Sequence, residues 1–397
     1  MNTEKLYDSH PYDTDFSAQV VSAQQTGDTL RLELDRTLFF PEEGGQSSDT
    51  GFIEGLKVFH VSIEGGRIIH EVKVEGDRED ESKKALPGVS DRINGRIDWE
   101  HRFSNMQNHT GEHILSGILH RDYASENTGF HLSDNIVTLD TSERLDEKQL
   151  KELEQKANEA VCRNLPVTCR YYEKNELSGI SYRSKKEFDE AVRLVTIEGI
   201  DVCACCAPHV RNTGEIGIIK ILGSINYKGG SRLTILSGRR ALEYIEGEHG
   251  LVTALTRKLS AAPEKLPEAV DRLLRQVSDL EEELNESARQ RLFERLKGLS
   301  EGSDNAVIFT NDQRISNITQ RNAVNLLAGT YEGICAVFVG EEKSFRFILS
   351  YPSGNALTAA KALRDELGAG CGGSDKMIQG SVNAGESEIR EVLGRLG

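Results

Sequence analysis

No apolar run in this chain of 397 residues approaches the roughly 20 residues that a bilayer-spanning helix requires. The longest, such as Ala306 to Thr310 and Ile334 to Val339, are strand-sized, which excludes a membrane-spanning reading. The N-terminus, MNTEKLYDSHPYDTDF, lacks the basic start and apolar stretch of a secretory signal, so a cytoplasmic location is expected. Positive charge is also short: 48 Lys+Arg stand against 64 Asp+Glu, for a net charge of -16. Whole-molecule attraction to polyanions is thereby excluded, and any nucleic-acid contact must use local basic patches. No P-loop pattern G-x-x-x-x-G-K-[ST] appears, nor a G-x-G-x-x-G after a strand. What is present is 37% apolar residues among 28% charged ones, enough for two to four folded domains.

From Phe16 to Phe52 the chain reads as short strands, with alternation in Thr29 to Leu34 and turn chemistry in Glu42 to Gly51. Strand-like pieces follow at Lys57 to Ile63 and Arg67 to Val74, which together suggest a small antiparallel β-barrel. The acidic stretch Glu75 to Lys84 reads as a surface loop. A helix begins near Asp98, with Ile114, Leu115, Ile118 and Leu119 marking its core face. Helices over Glu143 to Arg163 and Lys185 to Leu194 alternate with strands over Asn135 to Asp140, Val167 to Tyr172 and Leu194 to Ile197. Strands Gly214 to Leu222 and Arg232 to Leu236 complete a sheet before a helix starts at Arg239. Val270, Leu273, Val277, Leu280, Leu284, Ala288, Leu292 and Leu296 then recur at spacings of three and four, as a coiled coil or an amphipathic helix on its own domain requires. From Asn305 the pattern is compact α/β, with strands at Val307 to Thr310, Ile334 to Val339 and Ser344 to Leu349, helices at Gln320 to Leu327 and Ala356 to Leu367, and a closing glycine-rich loop. The expected fold is α+β and multi-domain: a β-barrel over 1–90, an α+β domain over 91–247, a helical arm over 248–303 and an α/β domain over 304–397.

Seven cysteines are an odd count, and Cys203, Cys205 and Cys206 crowd into four positions, a spacing that suits metal chemistry better than a disulfide framework. His109 and His113 sit four apart on a predicted helix, so their imidazoles share a face and can share a metal. Alone, such a pair is more often made of surface or core-capping residues than of ligands. The second half-site is Cys205-Cys206-Ala207-Pro208-His209, a C-x-x-x-H pattern in a loop, and thiolate and imidazole are preferred ligands of Zn²⁺. By spacing, Cys203 and Cys206 compete with Cys205 for the thiolate position.

Together these residues resemble the AlaX proteins, free-standing relatives of the alanyl-tRNA synthetase editing domain. LDRTLFFPEEGGQSSDTGFI resembles the family's first signature, INGRIDWEHRFSNMQNHTGEHILSG its second and DVCACCAPHVRNTGEIG its third. The third keeps Cys205 and His209 but has Cys206-Ala207-Pro208 where the family commonly shows Gly-Gly-Thr. Gly368-Ala369-Gly370-Cys371-Gly372-Gly373-Ser374-Asp375 and Gln379-Gly380 resemble the glycine-rich domain shared by alanyl-tRNA synthetases and DHH-type phosphoesterases. The resemblance covers essentially the whole chain, as in the long form of AlaX.

The resemblance implies a Zn²⁺-dependent hydrolase that cleaves the ester joining serine, and secondarily glycine, to alanine-specific tRNA. Zn²⁺ is then expected on His109, His113, Cys205 and His209, with Gln46 positioning the substrate or the water. Because the first signature begins by Leu34, no span is left for an adenylate-forming domain, and ligase activity is not expected. Phosphate contacts are expected from Lys228, Arg232, Arg239 and Arg240 and from the loop glycines Gly370, Gly372 and Gly373. The helical arm or the C-terminal domain is expected to support a homodimer. Two other classes fit parts of the pattern: a zinc-stabilised RNA-binding module without catalysis, which would bind tRNA and not deacylate it, and a metallohydrolase of small esters, which would turn over without tRNA.

Overall fold

Alternation in Thr29–Leu34 places Leu30, Leu32 and Leu34 on one face, and all three are buried in the computed structural model, which describes residues 3–74, 86–134, 136–184, 191–299 and 305–396. This strand belongs to a sheet that closes on itself in the order Asp15–Thr26, Thr29–Leu34, Arg67–Lys73, Leu56–Glu64, Gly51–Ile53, Arg92–Ile97. Every pairing in the ring is antiparallel. Its interior is filled by residues such as Val58, Val61, Val72 and Ile93, and it also encloses His70, bonded to Thr37 Oγ1 at 2.8 Å and to the Leu32 carbonyl at 3.1 Å. The expected acidic loop at Glu75 to Lys84 lies outside the described residues.

The ring shares the unit Met1–Leu251 with a long helix, Trp99–Tyr123, and two further antiparallel sheets. The helix starts where the Asp98 side chain accepts the His101 N–H and ends at Ala124 in the left-handed region. Ile114, Leu115, Ile118 and Leu119 are buried against a core that includes Leu139, Val195, Ile219 and Ile235. Arg102, fully buried, ties the helix to the ring by donating to Asp49 and to the carbonyls of Leu38 and Pro11. One sheet runs Ile219–Tyr227, Gly230–Ser237, Val137–Thr141, Asn127–Leu132; the other runs Val167–Tyr172, Val192–Ile197, Asp201–Ala204. The helix Glu147–Cys162 begins at a reciprocal Asp146/Gln149 capping box.

Two expectations about this unit need correction. Of the helix expected over Lys185 to Leu194, residues 185–190 lie outside the described residues, and Val192 to Leu194 are strand, paired with Val167–Tyr172. The strand expected from Gly214 starts instead at Ile219, because Thr213–Ile216 forms a 3₁₀ turn closed by Asn212 and Glu215.

The unit Val252–Gly397 carries a five-stranded sheet in the order Ala306–Thr310, Cys335–Glu341, Ser344–Ser350, Met377–Val382, Gly370–Gly373. Gly370–Gly373, expected as loop, is an edge strand held by backbone pairing to Met377–Val382. The helix Leu266–Lys297 packs only part of its apolar stripe into its own unit. Ala288, Leu292 and Leu296 are buried in the core of their own unit, whereas Val270, Leu273, Leu274, Val277, Leu280 and Leu284 are 42% to 62% exposed. The chain is thus multi-domain and α+β, and no helix among the described residues is long and apolar enough to cross a membrane.

Candidate metal centre

The turn Glu43-Gly44-Gly45-Gln46 lies along the strand Asn127–Leu132: Leu132 N–H donates to the Gly45 carbonyl at 2.7 Å, and Ser47 N–H to the Leu132 carbonyl at 3.0 Å. Gly45 has φ 87°, and a Cβ there would stand 2.4 Å from the Phe130 carbonyl oxygen, so the approach needs glycine. This staple delivers Gln46, which is fully buried, to the helix: its Oε1 lies 2.6 Å from His109 Nδ1.

His109 and His113 project from one face of that helix with their rings stacked 5.3 Å apart. Cys205 and His209 come from the segment after strand Asp201–Ala204, which Arg193 secures by donating to the Cys205 and Ala207 carbonyls, each at 2.9 Å. The side-chain donor atoms of His109, His113, Cys205 and His209 all lie within 4.8 Å of one another. Cys205 Sγ is 3.5 Å from His109 Nε2 and 3.4 Å from His209 Nε2. Zinc bonds of about 2.0 to 2.3 Å in a tetrahedron separate neighbouring ligand atoms by about 3.3 to 3.6 Å, so these spacings fit the ion.

The outer hydrogen bonds fit it as well. His113 Nδ1 meets Asp201 Oδ2 at 2.9 Å, His109 Nδ1 meets Gln46 Oε1, and His209 Nδ1 meets Thr110 Oγ1 at 3.0 Å. A carboxylate and an amide oxygen only accept, so Nδ1 of His113 and of His109 carries the proton and the Nε2 lone pair is left for a cation. Arg183 in turn grips Asp201 with two bonds of 2.7 and 2.8 Å. Burial, which alone pushes an imidazole down, is outweighed at His113 by Asp201 and the thiols of Cys203 and Cys205, and its pKa stands well above the usual value. At Cys205, burial pushes the thiol up, but His109 and His209 bring it well below its ordinary range. Burial pushes His209 down to about 3.

Of the competing cysteines, Cys203 groups with His113 and Asp201 only, and the Cys206 thiol is pushed up by burial and by the neighbouring Cys205 and Glu43. Three members of the cluster, His109, His113 and Cys205, line a cleft of about 950 Å³, whose wall also includes Glu112, Phe130 and Arg183. Gln46 stands behind His109, and its Nε2 is buried without a hydrogen-bond partner.

The expected phosphate contacts divide. Arg232 is engaged by Asp140 at 2.6 and 2.8 Å and covers the Tyr227 ring, and Arg239 is engaged by Glu100 and Glu243. Arg240 donates to the Ser133 carbonyl and to Asn105 Oδ1. Lys228 is exposed on a hairpin turn beside Tyr227. Gly370, Gly372 and Gly373 are exposed on the edge strand, the last two beside Arg321 and Ser374 in a second, shallower depression. Asp201 and Arg183 were not singled out by sequence, since no fixed spacing links them to the ligand pattern, and Thr110 and Glu112, although they lie between the two histidines, carry no signal of their own there.

Residues 192–234 match the family described as threonyl and alanyl tRNA synthetase second additional domain. The chain is 28% identical over 413 residues to the alanyl-tRNA editing protein AlaX-L of Pyrococcus horikoshii, covering 98% of this chain and 97% of that protein. It is 30% identical over 325 residues to the alanyl-tRNA editing protein Aarsd1-A of Xenopus laevis, covering 80% and 76%. Against the alanine–tRNA ligase of Pyrococcus abyssi it is 30% identical over 409 residues, covering 96% of this chain but 42% of the ligase.

Proposed function

The chain belongs to the alanyl-tRNA editing proteins, and from that membership we propose that it hydrolyses the ester of serine, and secondarily glycine, mischarged onto tRNA(Ala), acting in trans and without ligase activity. The observation that carries this reading is the His109, His113, Cys205 and His209 cluster facing a cleft wide enough for an aminoacyl ester. Zn²⁺ bound there would supply fixed positive charge beside the reacting ester. His109, His113 and His209 would hold it through Nε2, oriented by Gln46, Asp201 and Thr110. Gln46 would act through the His109 ring, which it fixes in place at the cleft wall.

An aminoacyl ester is already activated, so the site's main tasks are to position ester and water and to reject alanine. Rejection follows from buried polar groups that pair with the serine hydroxyl and stay unpaired when alanine enters. Purified protein incubated with Ser-, Gly- and Ala-tRNA(Ala) is expected to release serine fastest and alanine slowest. Release of alanine at the same rate as serine would exclude the editing role, and turnover of small seryl esters as fast as of Ser-tRNA would favour a plain esterase.

A further inference from the structure

The same cleft holds a buried carboxylate that forms no ion pair among the described residues. Glu112 follows His109 by three residues and precedes His113 by one, which puts it within about 60° of His109 around the helix axis and on the same side. It is 3% exposed, yet it belongs to the cleft wall. Its Oε1 accepts from the Ser116 hydroxyl and from Asn127 Nδ2, the latter at 2.7 Å. Its Oε2 accepts no hydrogen bond, and no Lys, Arg or His forms an ion pair with Glu112 among the described residues.

Two of the other three acidic groups of the cleft are paired. Asp201 is held by Arg183 and His113, and Glu126 by His120. Glu43 also has a buried Oε2 without a hydrogen-bond partner, but it stands on a turn against the Cys206 thiol and not on the helix that carries His109 and His113. Arg183 is near enough to feel Glu112, but its guanidinium is committed to Asp201. A carboxylate this buried is costly without a cation, and Ser116 and Asn127 fix its orientation while leaving one oxygen for a partner from the cleft.

We propose that Glu112 binds the α-ammonium group of the aminoacyl ester. The inference rests on the editing reading above and deepens it. The substrate class becomes esters of free α-amino acids: an aminoacyl-tRNA carries the ammonium that Glu112 requires, whereas an N-acylated or peptidyl-tRNA does not. The carboxylate also fixes the ester's orientation, because ammonium and ester carbonyl are attached to one carbon, and anchoring the first on a rigid helix aims the second at the cluster formed by the adjacent histidines.

The test uses the zinc-loaded full chain, Ser-tRNA(Ala), and the same tRNA after nitrous acid has replaced the seryl ammonium by hydroxyl. The wild-type protein is expected to prefer the ammonium-bearing ester at least tenfold in kcat/KM. Glu112→Gln keeps the shape and the acceptor for Ser116 and Asn127 but loses the charge, and it is expected to bring the two rates together with zinc content unchanged. Should Glu112→Gln not fold, Glu112→Asp, which withdraws the carboxylate by one methylene, is expected to cut the preference at least threefold, and an undiminished preference there overturns the proposal. It is also overturned if the wild type shows no preference, if Glu112→Gln lowers both rates by the same factor, or if Glu43→Gln abolishes the preference while Glu112→Gln retains it. Failure of the wild type to hydrolyse either ester would instead remove the editing reading, and this inference with it.

Discussion

Burial alone would keep the Cys205 thiol protonated, yet His109 and His209 hold it well below its ordinary pKa, which marks it as the thiolate of the cluster. Cys205→Ala is therefore expected to lose bound zinc, whereas Cys203→Ala, which removes a thiol grouped only with His113 and Asp201, should keep one ion per chain by atomic emission. Gln46→Ala removes the acceptor that orients His109. Loss of such an outer partner typically costs about 10- to 100-fold in activity or metal affinity, and here the loss should appear in the deacylation rate of a protein that stays folded and zinc-loaded in excess metal. Far from the cleft, His70 is pushed down to about 4 by burial inside the ring. The unfolded chain takes up a proton below about 6.5 that the folded chain refuses until about 4, so stability present above that window falls by about 3 kcal/mol as pH drops through it. Urea melts at pH 7 and pH 4.5 should show a smaller loss for His70→Gln than for the wild type.

Helices and strands with a clear period were legible in the sequence, and partners without one were not. The helix Trp99–Tyr123 could be read from its apolar face and its Asp98 cap, and His109 with His113 from their spacing. Asp201 behind His113 was hidden because it reaches the helix across 88 residues of chain. The strand order of the ring was hidden for a related reason, since it joins Thr29–Leu34 to Arg67–Lys73, a pairing that local alternation does not encode. Gly370–Gly373 misled because glycine disfavours strands, while its partner Met377–Val382 supplies the backbone bonds that override the preference. The element contact that matters most for the centre is at Gly117, where a Cβ would stand 2.4 Å from the Ile200 carbonyl oxygen and 2.8 Å from the Asp201 Cβ. Gly117→Ala must push the helix away from the strand that carries Asp201. Overpacking of this kind costs about 1 to 3 kcal/mol, and about 2 to 4 °C of Tm accompany each kcal/mol in a unit of this size. A lowered Tm with weakened zinc binding is the expected result, and an unchanged zinc affinity would detach Asp201 from any role in holding His113.

At the scale of the whole chain, the candidate site and the exposed apolar stripe of the long helix fall in different units. Gln46, His109, Glu112, His113, Cys205 and His209 all belong to Met1–Leu251, and the exposed stripe of Leu266–Lys297 belongs to Val252–Gly397. The two domains expected over 1–90 and 91–247 thus lie in one unit, which makes Leu251 the natural place to cut. A chain ending there should fold, bind zinc and release serine at the full-length kcat. The missing unit is proposed to add phosphate contacts, so KM for Ser-tRNA(Ala) should rise, and the affinity of the intact protein should fall more steeply with salt than that of the shortened one. The stripe from Val270 to Leu284 has a separate expected role. Six large apolar side chains in fifteen residues form a patch that water disfavours, and a second copy of the chain is the partner we expect on it. Leu273→Asp combined with Leu280→Asp places charge on that face without touching Ala288, Leu292 or Leu296, which secure the helix to its own unit. Sedimentation equilibrium should find the intact chain dimeric and the double variant monomeric with an undiminished Tm. A monomeric intact chain would leave the stripe without the role assigned to it.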